Sequence, residues 1–287
     1  MGTLFVVATP IGNLADFSPR GIEALGSCDL ILAEDTRQTI KLLNHFSIKT
    51  KMVSYHKFNE AKRSEEIIEK LINGLDVALV SDAGTPCVSD PGYVIINQAR
   101  KAGINVVAIP GCSAVITALS VSGLDTSSFA FYGFVPTINK EKNKLFKDIK
   151  ESKIKTKVLY ESPKRVLSLL KELANEMPGC MVCVCSELTK MHEKSYYGNI
   201  EKVCVLLSQD KDAEKGEYVV LIQNEVGFKE KNQELSLEAL IVDAMVKLGY
   251  SLKEAVNHVS KSNEKLSKKD VYNAGLNLKS LPITNVK

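Results

Sequence analysis

Five short apolar runs alternate with segments of helical spacing through the first 110 residues: LFVVAT ending at Thr9, LILAED at Asp35, MVSY at Tyr55, DVALVSD at Asp82 and NVVAIP at Pro110. Runs of this length, rich in Val, Ile and Leu and not strictly alternating with polar residues, read as strands buried on both faces, and the helical patterns between them supply crossovers. This predicts a mostly parallel sheet. The helix starts are marked locally, as at Ser18-Pro19, where an N-cap precedes a proline at the first helical position and its missing N–H costs nothing. In such sheets ligands bind outside the carboxyl ends of the strands, so Thr9, Asp35, Asp82 and Pro110 mark the place to look for a site.

The pattern restarts at FAFYGFVP, followed by a Lys-rich helix, the strand KVLYES, the helix PKRVLSLLKELANEM, the strand MVCVCSEL and the strand YVVLIQ. A boundary is placed near Val135-Pro136. After Glu225 the strand-like runs stop, and Leu235–Leu248, Leu252–Ser260 and Ser267–Leu278 read as short helices. The expected division is a first α/β domain over 1–135, a second α/β domain with a mixed sheet over 136–225, and a helical appendage over 226–287. The Gly249-Tyr250-Ser251 joint, with Ser251 placed to cap the following helix, suits either a helix-turn-helix corner or a plain helical hairpin.

With 287 residues, 45% hydrophobic and 25% charged, the chain is long enough for two packed domains and excludes a disordered class. No window approaches the roughly 18 uninterrupted apolar residues of a membrane span, and the first residues have neither a basic leader nor a cleavage-like end, so a cytoplasmic protein without membrane partners is expected. Cys180, Cys183, Cys185 and Cys204 fall in apolar sequence and read as reduced core thiols; the CxxC at Cys180 lacks the second pair or His that a zinc site requires. No metal is expected. The formal net charge is only +3, but Thr137 to Lys171 holds 11 Lys and Arg against 4 Asp and Glu. Such a segment suits either an anionic partner or a solvated helix face.

Two strand-end loops are built for close approach. Asp82-Ala83-Gly84-Thr85 combines small residues with an acceptor and a hydroxyl, suited to a ribose or an amine, and Asp90-Pro91-Gly92 opens the next helix. Pro110-Gly111-Cys112-Ser113-Ala114 precedes a helix whose first amides suit a carboxylate. Neither is GxGxxG, which argues against a dinucleotide oxidoreductase.

These motifs carry a resemblance. TPIGNL from Thr9, AEDTR from Ala33, His56 with Asn59-Glu60, SDAGTP, DPGY, the Pro110 loop, YESPKR, Glu187-Leu188-Thr189-Lys190 and Lys215-Gly216-Glu217 stand in the order found in the ribosomal RNA cytidine 2′-O-methyltransferase family. That family has the tetrapyrrole-methylase fold, and the likeness spans residues 3 to 223. The resemblance implies a two-domain, usually homodimeric enzyme that binds S-adenosylmethionine in the cleft between its domains and methylates a cytidine ribose in 16S rRNA, in the decoding region, as free RNA or in the assembled small subunit. Carried over by motif, Pro10, Asp82, Ala83, Gly84, Thr85, Pro110, Gly111, Ser113 and Ala114 would face the cofactor from the first domain, and Glu187, Leu188 and Gly216 from the second. Relatives commonly have Pro at position 112 and His at position 164, where this chain has Cys112 and Lys164.

The cofactor's sulfonium already activates the methyl group, so the protein must align a ribose hydroxyl and help remove one proton. Glu34 and Asp35 are candidate acceptors at a strand end; Asp35 also reads as the N-cap of the next helix. Arg37 could clamp a phosphate, and Lys190 is a further catalytic candidate. His56, Lys140, Lys142, Lys144, Lys164 and Arg165, with Arg37, are the expected RNA contacts. Two other functions compete: a small-molecule methyltransferase of tetrapyrrole type on the same fold, and a non-catalytic RNA-binding protein.

Overall fold

The computed structural model describes residues 1–223, 236–262 and 267–280. The chain divides into two compact units, Met1–Gly227 and Phe228–Lys287. Among the described residues the first contains ten strands: β1 Thr3–Val7, β2 Leu30–Ala33, β3 Met52–Ser54, β4 Val77–Val80, β5 Asn105–Ile109, β6 Phe129–Phe134, β7 Thr156–Glu161, β8 Met181–Ser186, β9 Lys194–Asn199 and β10 Tyr218–Gln223. Its helices are α1 Pro19–Ser27, α2 Thr36–His45, α3 Glu60–Ile72, α4 Tyr93–Lys101, α5 Ala114–Val121, α6 Asn139–Glu151, α7 Pro163–Glu176 and α8 Ile200–Gln209. The second unit holds α9 Leu237–Leu248, α10 Leu252–Ser262 and α11 Lys268–Ser280.

All five N-terminal strands pair in parallel, in the order β3-β2-β4-β1-β5. Both faces are covered, as the continuous apolar runs require. On β2, Ile31 and Ala33 pack with Leu25, Leu42 and Leu43 on one side. Leu30 and Leu32 pack with Ile67, Leu71 and Ile95 on the other. The Ser18 hydroxyl accepts from the Gly21 N–H at 3.0 Å with Pro19 following, the helix start read from sequence.

The second sheet runs β6-β7-β10-β8-β9, with β6 and β7 parallel and the other pairs antiparallel. It is an α/β fold with a parallel sheet and a mixed sheet, as expected. One face packs Leu159, Val184 and Val220 against α7 and α8 through Leu170, Leu173 and Val203. The opposite face places Val158, Cys183, Cys185 and Leu221 against Val115, Ala118 and Leu119 of α5. Helix α5 therefore follows the last strand of the first sheet and roofs the second. The sequence reading did not include β9: its residues KSYYGN alternate half-buried with exposed on an edge strand, so they lack an apolar run. Strand β6 pairs within the second sheet, so the chain changes sheets between Ile109 and Phe129. The boundary expected at 225 lies outside the described residues.

In the second unit Ile241, Ala244, Ala255, Val259, Val271 and Ala274 form a small core. Gly249 ends α9 in the left-handed conformation, and Ser251 and Glu254 cap α10 reciprocally, the Ser251 N–H donating to Glu254 Oε2 at 2.8 Å and the Glu254 N–H to Ser251 Oγ at 3.4 Å. The expected start of α9 at Leu235 lies outside the described residues.

Candidate active site

The loops leaving β1, β2, β4 and β5 are joined to one another. Thr9 and Gly84 exchange backbone hydrogen bonds, Thr9 N–H to Gly84 O at 2.9 Å and Gly84 N–H to Thr9 O at 3.0 Å. The Thr85 hydroxyl donates to the Cys112 carbonyl at 2.9 Å. Asp82 Oδ1 accepts from the Asp35 N–H at 2.9 Å. Gly84 stands at φ +80°, where a Cβ would lie 3.2 Å from Ile11 Cγ2 and 3.6 Å from the Cys112 carbonyl oxygen. Only glycine enters that conformation without strain.

These loops form one wall of a cavity of about 470 Å³, within the usual range for a small-molecule site. Ile11, Glu34, Asp82 to Thr85, Val88 to Asp90, Ser113 and Ala114 line it from the first sheet. Phe134, Tyr160 to Pro163 and Gly216 to Val219 line it from the second. Ser113 caps α5 and Ala114 opens it, so the helix N-terminus faces the cavity. The lining has five carboxylates, from Glu34, Asp82, Asp90, Glu161 and Glu217, and no Lys, Arg or His among the described residues. Burial raises the Glu34 and Asp82 carboxyls above their ordinary values, with neighbouring acids adding to the effect. Asp90 is pushed up to about 6 by burial and then by Asp82. Burial, with Asp90 second, pushes the Tyr160 phenol up to about 12. Tyr160 stacks edge to face with Phe131 at 4.8 Å and with Phe134 at 5.3 Å, leaving Phe134 63% exposed at the cavity. The space is apolar on one side, strongly anionic on the other, and suited to a cation with an aromatic part.

Residues 3–204 match the family model of the tetrapyrrole (corrin/porphyrin) methylases. A ribosomal RNA small subunit methyltransferase I from Halalkalibacterium halodurans is 42% identical over 95% of this chain and 94% of its own length. The protein of the same name from Vibrio cholerae is 41% identical over the same shares. The chain belongs to the ribosomal RNA small subunit methyltransferase I family. It is a methyltransferase of the tetrapyrrole-methylase fold. Solved structures agree on that fold: diphthine synthase superposes with a TM-score of 0.60 at 17% identity, covering 78% of this chain and 90% of that one. Uroporphyrin-III-C-methyltransferase from Thermus thermophilus gives 0.54 at 18% identity, covering 79% and 96%.

In this methyltransferase, Asp82, Ala83, Gly84, Thr85, Ser113, Ala114 and Gly216 come together around the cavity. Pro10, Pro110, Gly111, Glu187 and Leu188 are not among the residues that line it. Gly111 is where the chain crosses Ala8, its Cβ position only 3.0 Å from the Ala8 Cβ. Leu188 is buried against the second sheet. Glu187, at φ +53°, accepts from the Glu217 N–H at 3.0 Å and from Lys190 Nζ at 2.9 Å. Lys190 also reaches Glu217 at 3.1 Å. Its ammonium is opposed by burial but raised overall by these two carboxylates, so it is a charged brace rather than a proton acceptor.

Asp35 is the N-cap of α2, accepting from the Arg37 N–H at 2.8 Å, and its carboxylate also holds the Arg37 guanidinium at 3.0 and 2.7 Å. Those bonds lower it to about 2. A carboxylate so held is a poor base at neutral pH. Glu34 lines the cavity, Asp35 does not.

The expected RNA contacts separate into two groups. Arg37, Lys140, Lys144 and Lys164 are exposed. Lys142 pairs with Glu172 of α7 at 2.7 Å, and Arg165 donates to both oxygens of the buried Glu161 and to the Val135 carbonyl. Lys157, counted in the basic segment, is buried in β7. His56 sits in the turn before α3, its N–H donating to Asn59 Oδ1 at 2.8 Å, and lies outside the cavity lining. Sequence reasoning did not single out Asp90, Phe134, Tyr160 or Glu217 as site residues. Only the motifs holding them, DPGY, FAFYGFVP, YESPKR and Lys215-Gly216-Glu217, were noted.

Proposed function

We propose that this protein transfers the methyl group of S-adenosylmethionine to the 2′-hydroxyl of a cytidine ribose in 16S rRNA, in the decoding region of the small subunit. The observation that supports the reading is the cavity's charge: five carboxylates line it, Glu161 and Glu217 of them paired with Arg165 and Lys190, and no cation lines it among the described residues, at the strand ends of a ribosomal RNA small subunit methyltransferase I family member. S-adenosylmethionine brings a sulfonium and an ammonium to that lining, and a flat adenine that suits Phe134, Tyr160 and the small residues Ala83, Gly84 and Ala114. Its carboxylate fits the amides opening α5. The group supplies an activated methyl; the chain's residues bind it, orient it and exclude water around it. Asp82, Ala83, Gly84, Thr85, Ser113, Ala114 and Gly216 form the binding surface, and Pro10, Pro110, Gly111, Glu187 and Leu188 hold its loops in place. A polycarboxylate tetrapyrrole would meet a wall of like charge, which disfavours the small-molecule reading.

RNA reaches the cavity mouth over Arg37, Lys140, Lys144 and Lys164, with His56, Lys142 and Arg165 supporting that surface. The same reading makes the protein a cytoplasmic homodimer.

The test is methyl transfer from labelled S-adenosylmethionine to small subunits that lack the modification. The expected product is one ribose that resists alkaline cleavage on its 3′ side. Label on a base, or transfer to a tetrapyrrole acid and none to RNA, would overturn the proposal.

A further inference from the structure

A ribose enters a protein cavity only when its nucleotide leaves the stacked strand, and the neighbouring bases then lose a stacking partner. Proteins that hold unstacked RNA replace that partner with aromatic faces set among cations. A ring of this kind stands beside the cavity, outside its lining. Phe58, in the turn between β3 and α3, is 95% exposed, more than any other Phe or Tyr among the described residues.

The exposure is built into an ordered turn. The His56 N–H donates to Asn59 Oδ1 at 2.8 Å, and the Asn59 and Glu60 N–H groups both donate to the His56 carbonyl at 2.9 Å. The Asn59 side-chain amide donates to the Ser54 carbonyl at the end of β3, at 3.3 Å. The chain thus closes around Lys57 and Phe58 from both sides. The His56 and Phe58 rings meet edge to face at 6.0 Å, a contact that leaves the phenyl in solvent. A phenyl held in water forgoes the burial that normally stabilises it, and a small polar residue would make the same turn.

The turn is also tied to the cavity. Strand β3 lies beside β2 with Ser54 opposite Ala33, and the Tyr55 N–H donates to the Ala33 carbonyl at 2.8 Å. It therefore leaves the sheet next to Glu34, which lines the cavity, and next to the start of α2, where the Arg37 side chain is 88% exposed. Two residues beyond Phe58, Glu60 Oε2 accepts from the Gly92 N–H at 3.4 Å. Gly92 ends the loop that brings Asp90 into the cavity wall, and the next residue, Tyr93, carries a second exposed ring. Lys57 on the turn and Lys62 in the first turn of α3 are exposed. The cavity is anionic, whereas Phe58 has exposed cations close to it in the chain.

We propose that Phe58 is an RNA-binding residue whose ring stacks on an unpaired base beside the nucleotide that enters the cavity, with Lys57 and Arg37 meeting neighbouring phosphates. This rests on the function proposed above. Stacking needs only the flat face of a base, so the ring holds the strand at the cavity mouth without reading its sequence. The cations attract RNA from a distance, and the ring fixes where the strand comes to rest.

The experiment compares full-length wild type with Phe58→Ala, Phe58→Leu and Phe58→Trp, using unmodified small subunits and saturating S-adenosylmethionine. Phe58→Ala should raise the KM for subunits by about 5- to 150-fold, with kcat within about threefold of wild type. Cofactor affinity by calorimetry and melting temperature should not change. Phe58→Leu keeps apolar bulk without a π face and should show most of the same loss, while Phe58→Trp should bind at least as well as wild type. The slope of log affinity against log salt should be equal in all four proteins, because stacking releases no counterions. The chain contains no tryptophan, so the indole of Phe58→Trp reports on this position alone, and a single-stranded cytidine oligoribonucleotide should quench its fluorescence. A wild-type KM in Phe58→Ala would overturn the assignment with the proposed function intact. So would a wild-type KM in Phe58→Leu, the mark of an apolar contact with a protein of the subunit, or an indole that the oligoribonucleotide leaves unquenched. Wild type that transfers no methyl to small subunits would overturn the proposed function, with base stacking still decided by the quenching.

Discussion

Asp82 Oδ1 accepts the Asp35 backbone N–H at 2.9 Å, tying the end of β4 to the end of β2 at the floor of the anionic cavity. The bond uses one carboxylate oxygen as an acceptor, which an asparagine can reproduce, while the negative charge faces the ligand. Asp82→Asn should therefore leave the fold intact and weaken S-adenosylmethionine binding by about tenfold or more, with a smaller effect on the thioether product, which lacks the sulfonium charge and keeps the ammonium. Calorimetry with the two ligands checks this; equal losses for both would mean that the Asp82 charge does not act on the sulfonium.

Gly84 combines a left-handed backbone with a two-bond bridge to Thr9. A residue with a Cβ there bears roughly 1–2 kcal/mol of backbone strain, and the added atom presses on Ile11 at 3.2 Å. Gly84→Ala should lower the melting temperature and reduce cofactor affinity, and Gly84→Val should do both more severely. Normal affinity in a folded Gly84→Val variant would remove this loop from the binding surface.

The fold was largely readable because each parallel strand announces itself as an apolar run closed by Gly, Pro or a cap, as in DVALVSD before Ala83-Gly84. The wall contributed by the first sheet followed from the same logic, since strand ends in such sheets converge. What stayed hidden depends on contacts distant in sequence. Asp90, Tyr160 and Phe134 meet only because α5 seats the second sheet beneath the first sheet's loops, and no spacing encodes that. Charge counting was similarly blind to pairing. Lys142 and Arg165 are partly spent on Glu172 and Glu161, and Lys157 is enclosed in β7.

That pairing divides the basic segment into cations that can meet phosphate and cations that hold helices together. Lys140 and Lys144 are exposed on α6, whereas Lys142 bridges to α7. Each phosphate contact to single-stranded RNA contributes about 0.7 to the slope of log affinity against log salt. Lys140→Ala with Lys144→Ala should flatten the slope by about 1.4 at unchanged melting temperature. Lys142→Ala should instead lower thermal stability. If the slope of the double variant equals that of wild type, both lysines belong to a solvated face.

Asp35 and Arg37 act as a helix start. Asp35→Asn retains an acceptor for the Arg37 N–H, so single-turnover methylation should fall by less than about tenfold, well short of the range for loss of a base. Asp35→Ala should lower the melting temperature more than Asp35→Asn. The wild-type carboxyl is lowered to about 2 in the folded protein from an ordinary 3.8. Its contribution is therefore present above pH 4 and is lost as pH falls toward 2, so melting curves of wild type and Asp35→Ala should converge on acidification. A constant gap would show that capping does not depend on the charge.

Asp90 has the opposite sign. Its carboxyl is raised to about 6 from an ordinary 3.8 because the folded protein buries it beside Asp82 without a donor. The folded state then binds the proton more tightly than the unfolded chain, and stability must fall as pH rises from about 4 through 6. Replacing Asp90 with asparagine removes that loss. The melting temperature of Asp90→Asn relative to wild type should therefore rise between pH 4 and pH 7 and level off above. A gain in stability on removing a charge is expected where a binding site holds that charge in an unfavourable state. If the difference in melting temperature is flat across this range, Asp90 is not held as an unpartnered carboxylate, and a donor must reach it in the folded protein.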